Sequence, residues 1–199
     1  MISPNNLLHR RAVIGELLRE RGDLLCIASL GAPNWDITAV GDSPNNFPLW
    51  GAMAASVMMG LGLAIAQPKR RVLVFAGDGE MLMSLGALAT VGAQQPQNLS
   101  VVVLDNERYG ETGSQLTHTA HGVDLTAVAK GCGIASAVTV RTEAEVADLR
   151  RAIYAGAGPV YATVKIDPEA LPFVLPPADG VILTTRFRQS VLGEGALYN

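Results

Sequence analysis

Cysteine is almost missing from this chain: Cys26 and Cys132 are the only two among 199 residues. They lie far apart, and neither belongs to a C-x-x-C or other metal-spaced cluster. That excludes an iron–sulfur centre, a structural zinc site and a disulfide-stapled scaffold, and it fits a reducing cytoplasm. Charge is also scarce, with 17% Asp, Glu, Lys and Arg and a net charge of -3. There is no long basic run and no basic patch interleaved with aromatics, so nucleic acid is not an expected ligand. Met1 to Gly22 lacks the apolar core of a signal peptide. The one long apolar stretch, Leu49 to Ala66, approaches a membrane span in length, but it is rich in glycine and alanine and is ended by Gln67-Pro68-Lys69. It reads as a helix buried in protein, with no membrane span expected.

Apolar residues, by contrast, make up 49% of the chain, so part of the surface is expected to be covered by another polypeptide. The length suits one compact domain over 1–199, with 167–199 as an extended C-terminal segment. The chain is organised around Val72 to Gly113. An apolar run, Val72 to Ala76, stops at Gly77-Asp78-Gly79; a helical pattern covers Glu80 to Gln94; a second apolar run, Leu99 to Leu104, stops at Asp105-Asn106. Two buried-type strands joined by a helix make a βαβ unit. The expected fold is α/β, a doubly wound, mostly parallel sheet with helices on both faces.

In such a sheet, ligands sit outside the carboxyl ends of the strands, where Asp78 and Asn106 both fall. The glycines flanking Asp78 let the backbone turn sharply, and the helix beginning near Glu80 points its amino end at the same spot, which favours phosphate. A carboxylate and an amide oxygen are hard ligands suited to magnesium or calcium. Gly-Asp-Gly also serves ordinary turns, and an Asp-Asn pair can end a strand or cap a helix without any ligand. The spacing across two strand ends is what favours a diphosphate–metal cradle.

Gly77-Asp78-Gly79, then 26 residues, then Asn106 followed by Tyr109-Gly110 resembles the diphosphate-binding signature of thiamine-diphosphate enzymes. Within that superfamily, the run from Phe47 to about Gly133 is most similar to the beta subunit of sulfopyruvate decarboxylase and the matching half of phosphonopyruvate decarboxylase. The resemblance implies that Asp78, Asn106 and the backbone carbonyl of Arg108 bind Mg2+. It implies that Gly51, Met53, Gly77, Asp78, Gly79, Glu80, Asn106, Tyr109, Gly110, Glu111 and Thr112 form the site of thiamine diphosphate. Met53, 25 residues before Asp78, matches the bulky apolar residue that props the bent cofactor between its rings. A flexible thioether suits that task, and ordinary core packing is its alternative use.

The segment Glu107 to Gly122 lacks apolar periodicity and resembles one that lies over the cofactor. Glu111, Gln115 and His118 are therefore catalytic candidates, with Thr112 and His121 as further substrate contacts; His118 could move protons near neutral pH. In the loop Gly31 to Asp36, Asn34-Trp35 stands where the resembled enzymes have a Ser-Arg pair. The natural partner of a sulfonate or phosphonate tail is thus missing at that place.

What the resemblance implies is decarboxylation of a small 2-oxo acid to an aldehyde. The Glu that activates the cofactor belongs, in that family, to a separate pyrimidine-binding domain, which 199 residues are too few to include as well. The expectation is one subunit of a split enzyme, paired with a second polypeptide in a heterotetramer or larger assembly, in the cytoplasm. Glu80 is expected to cap or flank the phosphate-facing helix. An acetolactate-synthase-like carboligase subunit and a non-catalytic cofactor-binding subunit are the alternatives.

Elsewhere, Asn6 to Arg21 has the spacing of an amphipathic helix capped by Asn5 or Asn6, and Leu24 to Leu30 that of a short strand. Gly60 and Gly62, inside the Leu49 to Ala66 helix, imply close packing against another backbone. A helix over Asp124 to Lys130, strands over Ala135 to Val140 and Val160 to Ile166, and a helix over Thr142 to Tyr154 opened by the capping box Thr142-Glu-Ala-Glu145 complete the pattern. The tail from Thr185 either packs on a partner or lies exposed.

Overall fold

A computed structural model describes residues 2–3 and 7–197, apart from the side chain of residue 197. The elements run α1 (Arg10–Leu18), β1 (Leu25–Ala28), α2 (Ala32–Ala39), β2 (Asn46–Pro48), α3 (Ser56–Ala66), β3 (Val72–Gly77), α4 (Asp78–Met83), α5 (Leu85–Gln94), β4 (Leu99–Asp105), β5 (Arg108–Tyr109), β6 (Gln115–Leu116), α6 (Leu125–Gly131), β7 (Ser136–Val140), α7 (Glu143–Ala155), β8 (Val160–Lys165) and α8 (Gly180–Leu192). Strands β3 and β4 are nearly unbroken runs of Val, Leu and Phe, the pattern of strands covered on both faces. They sit at the centre of a six-stranded sheet of order β2-β1-β3-β4-β8-β7, parallel throughout. From β1 the chain steps outward to β2, then returns past β1 to β3 and beyond. The order therefore reverses between β1 and β3, and a crevice opens outside their carboxyl ends.

Two apolar layers sandwich the sheet. On one face α1, α2 and α7 press Ile14, Leu17, Ile37 and Leu149 onto Leu73, Phe75 and Val102; on the other α3, α5, α6 and α8 press Leu61, Leu88, Ala129 and Phe187 onto Val74, Val101 and Tyr161. The capping box of α7 is complete, with Thr142 accepting from the Glu145 N–H and Glu145 accepting from the Thr142 N–H. Asp124 caps α6 by accepting from the Ala127 N–H.

Several expectations are corrected. Gly31 to Asp36 is not a loop: it opens α2, with Pro33 in the first turn, where a missing N–H costs nothing. Leu49 to Ala66 is helical only from Ser56, because Gly51 to Ala55 turns tightly, with Ala52 (φ 56) and Ala54 (φ 75) left-handed. The helix over Glu80 to Gln94 is two helices, α4 and α5, broken at Ser84. The first helix spans only Arg10–Leu18, and its expected caps Asn5 and Asn6 lie outside the described residues. Gly60 packs against a side chain, since a Cβ there would meet Val74 Cγ2 at 2.3 Å, and Gly62 faces open space.

The segment 167–199 is extended only at first. Asp179 caps α8 by accepting from the Val181 and Ile182 N–H groups, and Phe187 meets Phe47 of β2 at 5.0 Å between ring centres. The tail thus packs on its own chain. Among the described residues no helix is long and apolar enough to cross a membrane.

Two glycine substitutions test this packing in opposite directions. A Cβ at Gly92 of α5 would meet the Cys132 carbonyl oxygen at 1.7 Å, a backbone atom unable to turn aside. Gly92→Ala should cost about 1–3 kcal/mol of stability. Gly62→Ala, in the open interior of α3, should add roughly 0.5–1 kcal/mol. Urea denaturation of the isolated chain checks both signs.

Candidate active site

The crevice at the β1/β3 reversal holds a cavity of about 270 Å³. Its walls come from Leu30 to Pro33 after β1, Gly77 to Glu80 after β3, Asn106 and Arg108 to Thr112 after β4, together with Arg10, Met53, Met83, Leu104 and Ile166. Of the residues singled out in the sequence, Met53, Gly77, Asp78, Gly79, Glu80, Asn106, Arg108, Tyr109, Gly110, Glu111 and Thr112 share it. Gly51, Gln115 and His118 are not part of its lining. Gln115 is engaged inside its own loop, donating to the Thr112 carbonyl at 2.8 Å and accepting from the Thr112 hydroxyl at 3.0 Å. His118 and His121 are exposed on a short 3-10 turn.

Asp78 is 2% exposed at the first position of α4. Its Oδ2 accepts from the Thr117 hydroxyl at 2.5 Å, with Thr119 Oγ1 at 3.3 Å. The Thr119 hydroxyl makes its shorter bond, 2.8 Å, to Asp105 Oδ1, and Lys165 Nζ holds Asp105 Oδ2 at 2.6 Å and Glu107 at 2.8 Å. Burial pushes the Asp78 carboxyl up to about 6, against the Thr117 hydrogen bond and with help from the Asp105 charge. A buried carboxylate raised in this way is stabilised by any cation brought beside it.

Asn106 is half-buried, and its Oδ1 accepts from the Arg108 N–H at 3.0 Å, which leaves a second lone pair. Glu107, left-handed at φ 60, turns the chain back into the β5–β6 hairpin. Tyr109 then lies over Gly79 so closely that a Cβ at 79 would meet its ring at 2.5 Å. Gly79 is needed there for that contact.

Glu80 departs from expectation. It does not cap α4; its Oε1 accepts from the Ser56 hydroxyl at 2.5 Å and the Ser56 N–H at 3.3 Å, so it fastens the start of α3 and the Met53 turn to α4. Met53 is 37% exposed between the two left-handed alanines.

Among the described residues no three His, Cys, Asp or Glu side chains gather as a metal cluster. The lining brings the Asp78 carboxylate and the Asn106 amide together with Arg108, oxygen donors of the hard type that fits a divalent cation carrying phosphate oxygens. Cys26 is no nucleophile, because burial raises its thiol to about 12. Sequence reasoning missed Thr117, Thr119 and Lys165, since nothing local links them to a strand end 39 or more residues away.

Residues 38–164 match the family described as "Thiamine pyrophosphate enzyme, C-terminal TPP binding domain". The sulfopyruvate decarboxylase subunit beta of Methanothermobacter thermautotrophicus is 38% identical over 187 residues, 94% of this chain and 97% of that one. The phosphonopyruvate decarboxylase of Streptomyces viridochromogenes is 34% identical over 168 residues, 84% of this chain and 41% of that one. The crystal structure of benzoylformate decarboxylase from Polynucleobacter necessarius superposes with a TM-score of 0.64 at 21% identity, covering 83% of this chain and 34% of that one, a likeness of fold alone.

The Asp78 shift sets a pH dependence for the metal-free chain. Its folded value, about 6, lies above the ordinary 3.8, so the folded state binds more protons between them, and the penalty on stability is present above pH 6 and relieved as pH falls toward 4. Asp78→Asn should remove it. Against this variant the wild type should gain on the order of 2 kcal/mol in urea denaturation between pH 7 and pH 4. A pH-independent difference would contradict the burial of this carboxylate.

Proposed function

The chain belongs to the thiamine pyrophosphate enzymes' C-terminal TPP binding domain family, and from that membership we propose that it is the diphosphate-binding subunit of a split decarboxylase acting on a small 2-oxo acid. The observation that carries the reading is that Asp78, Asn106 and Met53, from three separate elements, share one cavity at the reversal of strand order.

In this reading Asp78, Asn106 Oδ1 and the Arg108 carbonyl hold Mg2+, and Thr117 fixes the Asp78 carboxylate so that its other oxygen meets the ion. Gly77 and Gly79 let the backbone approach the diphosphate. Met53, on a turn fastened by Glu80, supports the cofactor between its two rings. Thiamine diphosphate supplies a nucleophilic carbon and a cationic ring that takes up the electron pair left when CO2 departs. Glu111 and Thr112, exposed at the cavity, face the substrate. Gln115 orients Thr112.

The partner polypeptide supplies the pyrimidine-binding domain and its activating Glu. Exposed Met58, Met59 and Ile65 on α3, with Met53 and Met83 at the cavity, support such a covering chain. The assembly is a heterotetramer or larger and works in the cytoplasm.

Calorimetry with thiamine diphosphate and Mg2+, with and without the partner, tests the reading; Asp78→Ala should abolish metal-dependent binding, and unchanged affinity would refute the cradle. Met53→Ala should keep diphosphate binding and lower turnover at least tenfold, read as kcat in the assembled enzyme. Products formed from pyruvate alone decide the reaction: acetaldehyde is expected, and a new carbon–carbon bond would make the subunit a carboligase.

A further inference from the structure

The cavity has a buried positive charge on a residue that this function leaves unused. Arg10 opens α1 and is 6% exposed. Its Nε–H donates to the fully buried Asp36 carboxylate, whose other oxygen accepts from the Arg11 Nε–H at 2.9 Å. Two guanidinium groups against one carboxylate leave one positive charge over. Arg11 directs its remaining reach outward, donating from Nη2 to the Pro172 carbonyl at 2.8 Å. Arg10 lines the cavity beside Leu30 to Pro33. Its two terminal nitrogens have no hydrogen-bond partner among the described residues, yet they are not among the side-chain atoms sealed from all solvent. The cavity that Arg10 lines is the space we assign to them. A buried cation without full compensation is costly, and an oxyanion in front of it removes that cost.

The neighbouring helix α2 offers no rival. Asn34 donates from Nδ2 to the Leu49 carbonyl at 2.6 Å, and Trp35 packs against Trp50 and Phe173 at 5.1 and 5.0 Å; neither lines the cavity. Arg108, the other cation of the lining, is exposed and donates to the Ser114 carbonyl. Of the carboxylates, Asp78 is held by Thr117 and Glu80 by Ser56. Glu111 has no such bond among the described residues, and its Oε1 stands 3.0 Å from where a Cβ of Gly31 would be. Glu80 Oε2 is also buried without a partner among the described residues, so three carboxylates share the lining with Arg10, and Glu111 is the one without a hydrogen-bonded tether to another element.

We propose that Arg10 is an oxyanion-binding subsite of this cavity, presenting the free edge of its guanidinium to a phosphate, sulfonate, phosphonate or carboxylate group. The proposal rests on the reading of the cavity as a diphosphate and 2-oxo acid site. The oxyanion comes either from the cofactor's diphosphate or from an acid group of the substrate. A planar fork suits both, and a lysine in its place keeps the charge without the two-point grip.

The test uses the assembled enzyme in five forms: wild type, Arg10→Met, Arg10→Lys, Glu111→Gln and Asp78→Ala. Magnesium pyrophosphate is titrated by calorimetry, and KM is measured for pyruvate, sulfopyruvate and phosphonopyruvate. If the diphosphate is the anion, Arg10→Met weakens pyrophosphate binding roughly tenfold, Arg10→Lys does so by less, and Glu111→Gln tightens it. If the substrate is the anion, pyrophosphate affinity holds, and KM rises roughly tenfold in Arg10→Met and falls in Glu111→Gln. A rise confined to sulfopyruvate and phosphonopyruvate places the tail at Arg10; a rise for all three places the carboxylate there. Should Arg10→Met fail to fold, Arg10→Lys carries the comparison, since it keeps a charge beside Asp36. Folded Arg10 variants that match wild type in both measurements, while Asp78→Ala loses pyrophosphate, overturn the proposal alone. Pyrophosphate binding that survives Asp78→Ala overturns the reading of the cavity, and the subsite with it.

Discussion

The pairing of β3 between β1 and β4 governs the rest of the molecule. The register sets Ala28 beside Phe75 and Gly77 beside Leu104, so three strands run out at one edge within a residue or two of each other. Parallel hydrogen bonding forces every chain exit at that edge to face the same way, and the reversal of order at β1 and β3 keeps helices from closing over it. Gly31, Asp78 and Asn106 meet for this reason, although they are separated by tens of residues. A slip of one position in β3 would turn Val72, Val74 and Ala76 to the opposite layer and carry Asp78 out of the crevice.

The polar groups around Asp78 and Asp105 are paired with one another, whereas Glu80 Oε2 and Asn34 Oδ1 stay buried without a partner among the described residues. Thr117 and Thr119 link Asp78 to Asp105, and Lys165 neutralises Asp105. The chain of bonds runs from the end of β3 through the segment after β6 to the ends of β4 and β8. It binds the segment after β6 to the sheet without long hydrophobic contacts, and that segment accordingly has almost no apolar pattern. In a surrounding of low dielectric such a network is rigid when every member is satisfied and costly when one is lost. The second tether, Glu80 to Ser56, uses one carboxylate oxygen alone, and it holds a turn whose alanines sit in a left-handed conformation that isolated chains avoid.

One side of the molecule is left unfinished. The sheet is covered on both faces by this chain, yet α3 and the rim of the cavity expose Met58, Met59, Met83 and Ile65. Methionine suits a surface that must fit another one, because its side chain adjusts at little cost. The low charge of the sequence and the apolar character of this rim agree in calling for a covering chain.

Much of this was legible along the chain. Val72 to Ala76 and Leu99 to Leu104 are apolar runs bounded by breakers, and such runs name buried strands wherever they occur; the Asp78 and Asn106 spacing then follows from strand and helix lengths. Thr142 and Glu145 spell a helix start because both partners of the capping box are local. Where local pattern misled, tertiary contact had overridden it. Pro33 reads as a loop residue but begins α2, whose Asp36 is held by Arg10 and Arg11 from another helix. The apolar run at Leu49 reads as helix, but Glu80 fastens its turn from a distance. The tail beyond Asp179 reads as extended, and its helix is held by Phe47 on an edge strand. What the sequence by itself determined was the central pair of buried strands, the helical stretch between them and which residues stand at their carboxyl ends, since these depend on neighbours within a few residues. Only the tertiary structure decided that Thr117 and Thr119 hold Asp78, that Glu80 serves Ser56 and that Arg10 reaches the cavity. Those are meetings of residues 24 to 41 positions apart or on elements with no shared pattern, and only the packing of helices and turns on the sheet brings them together.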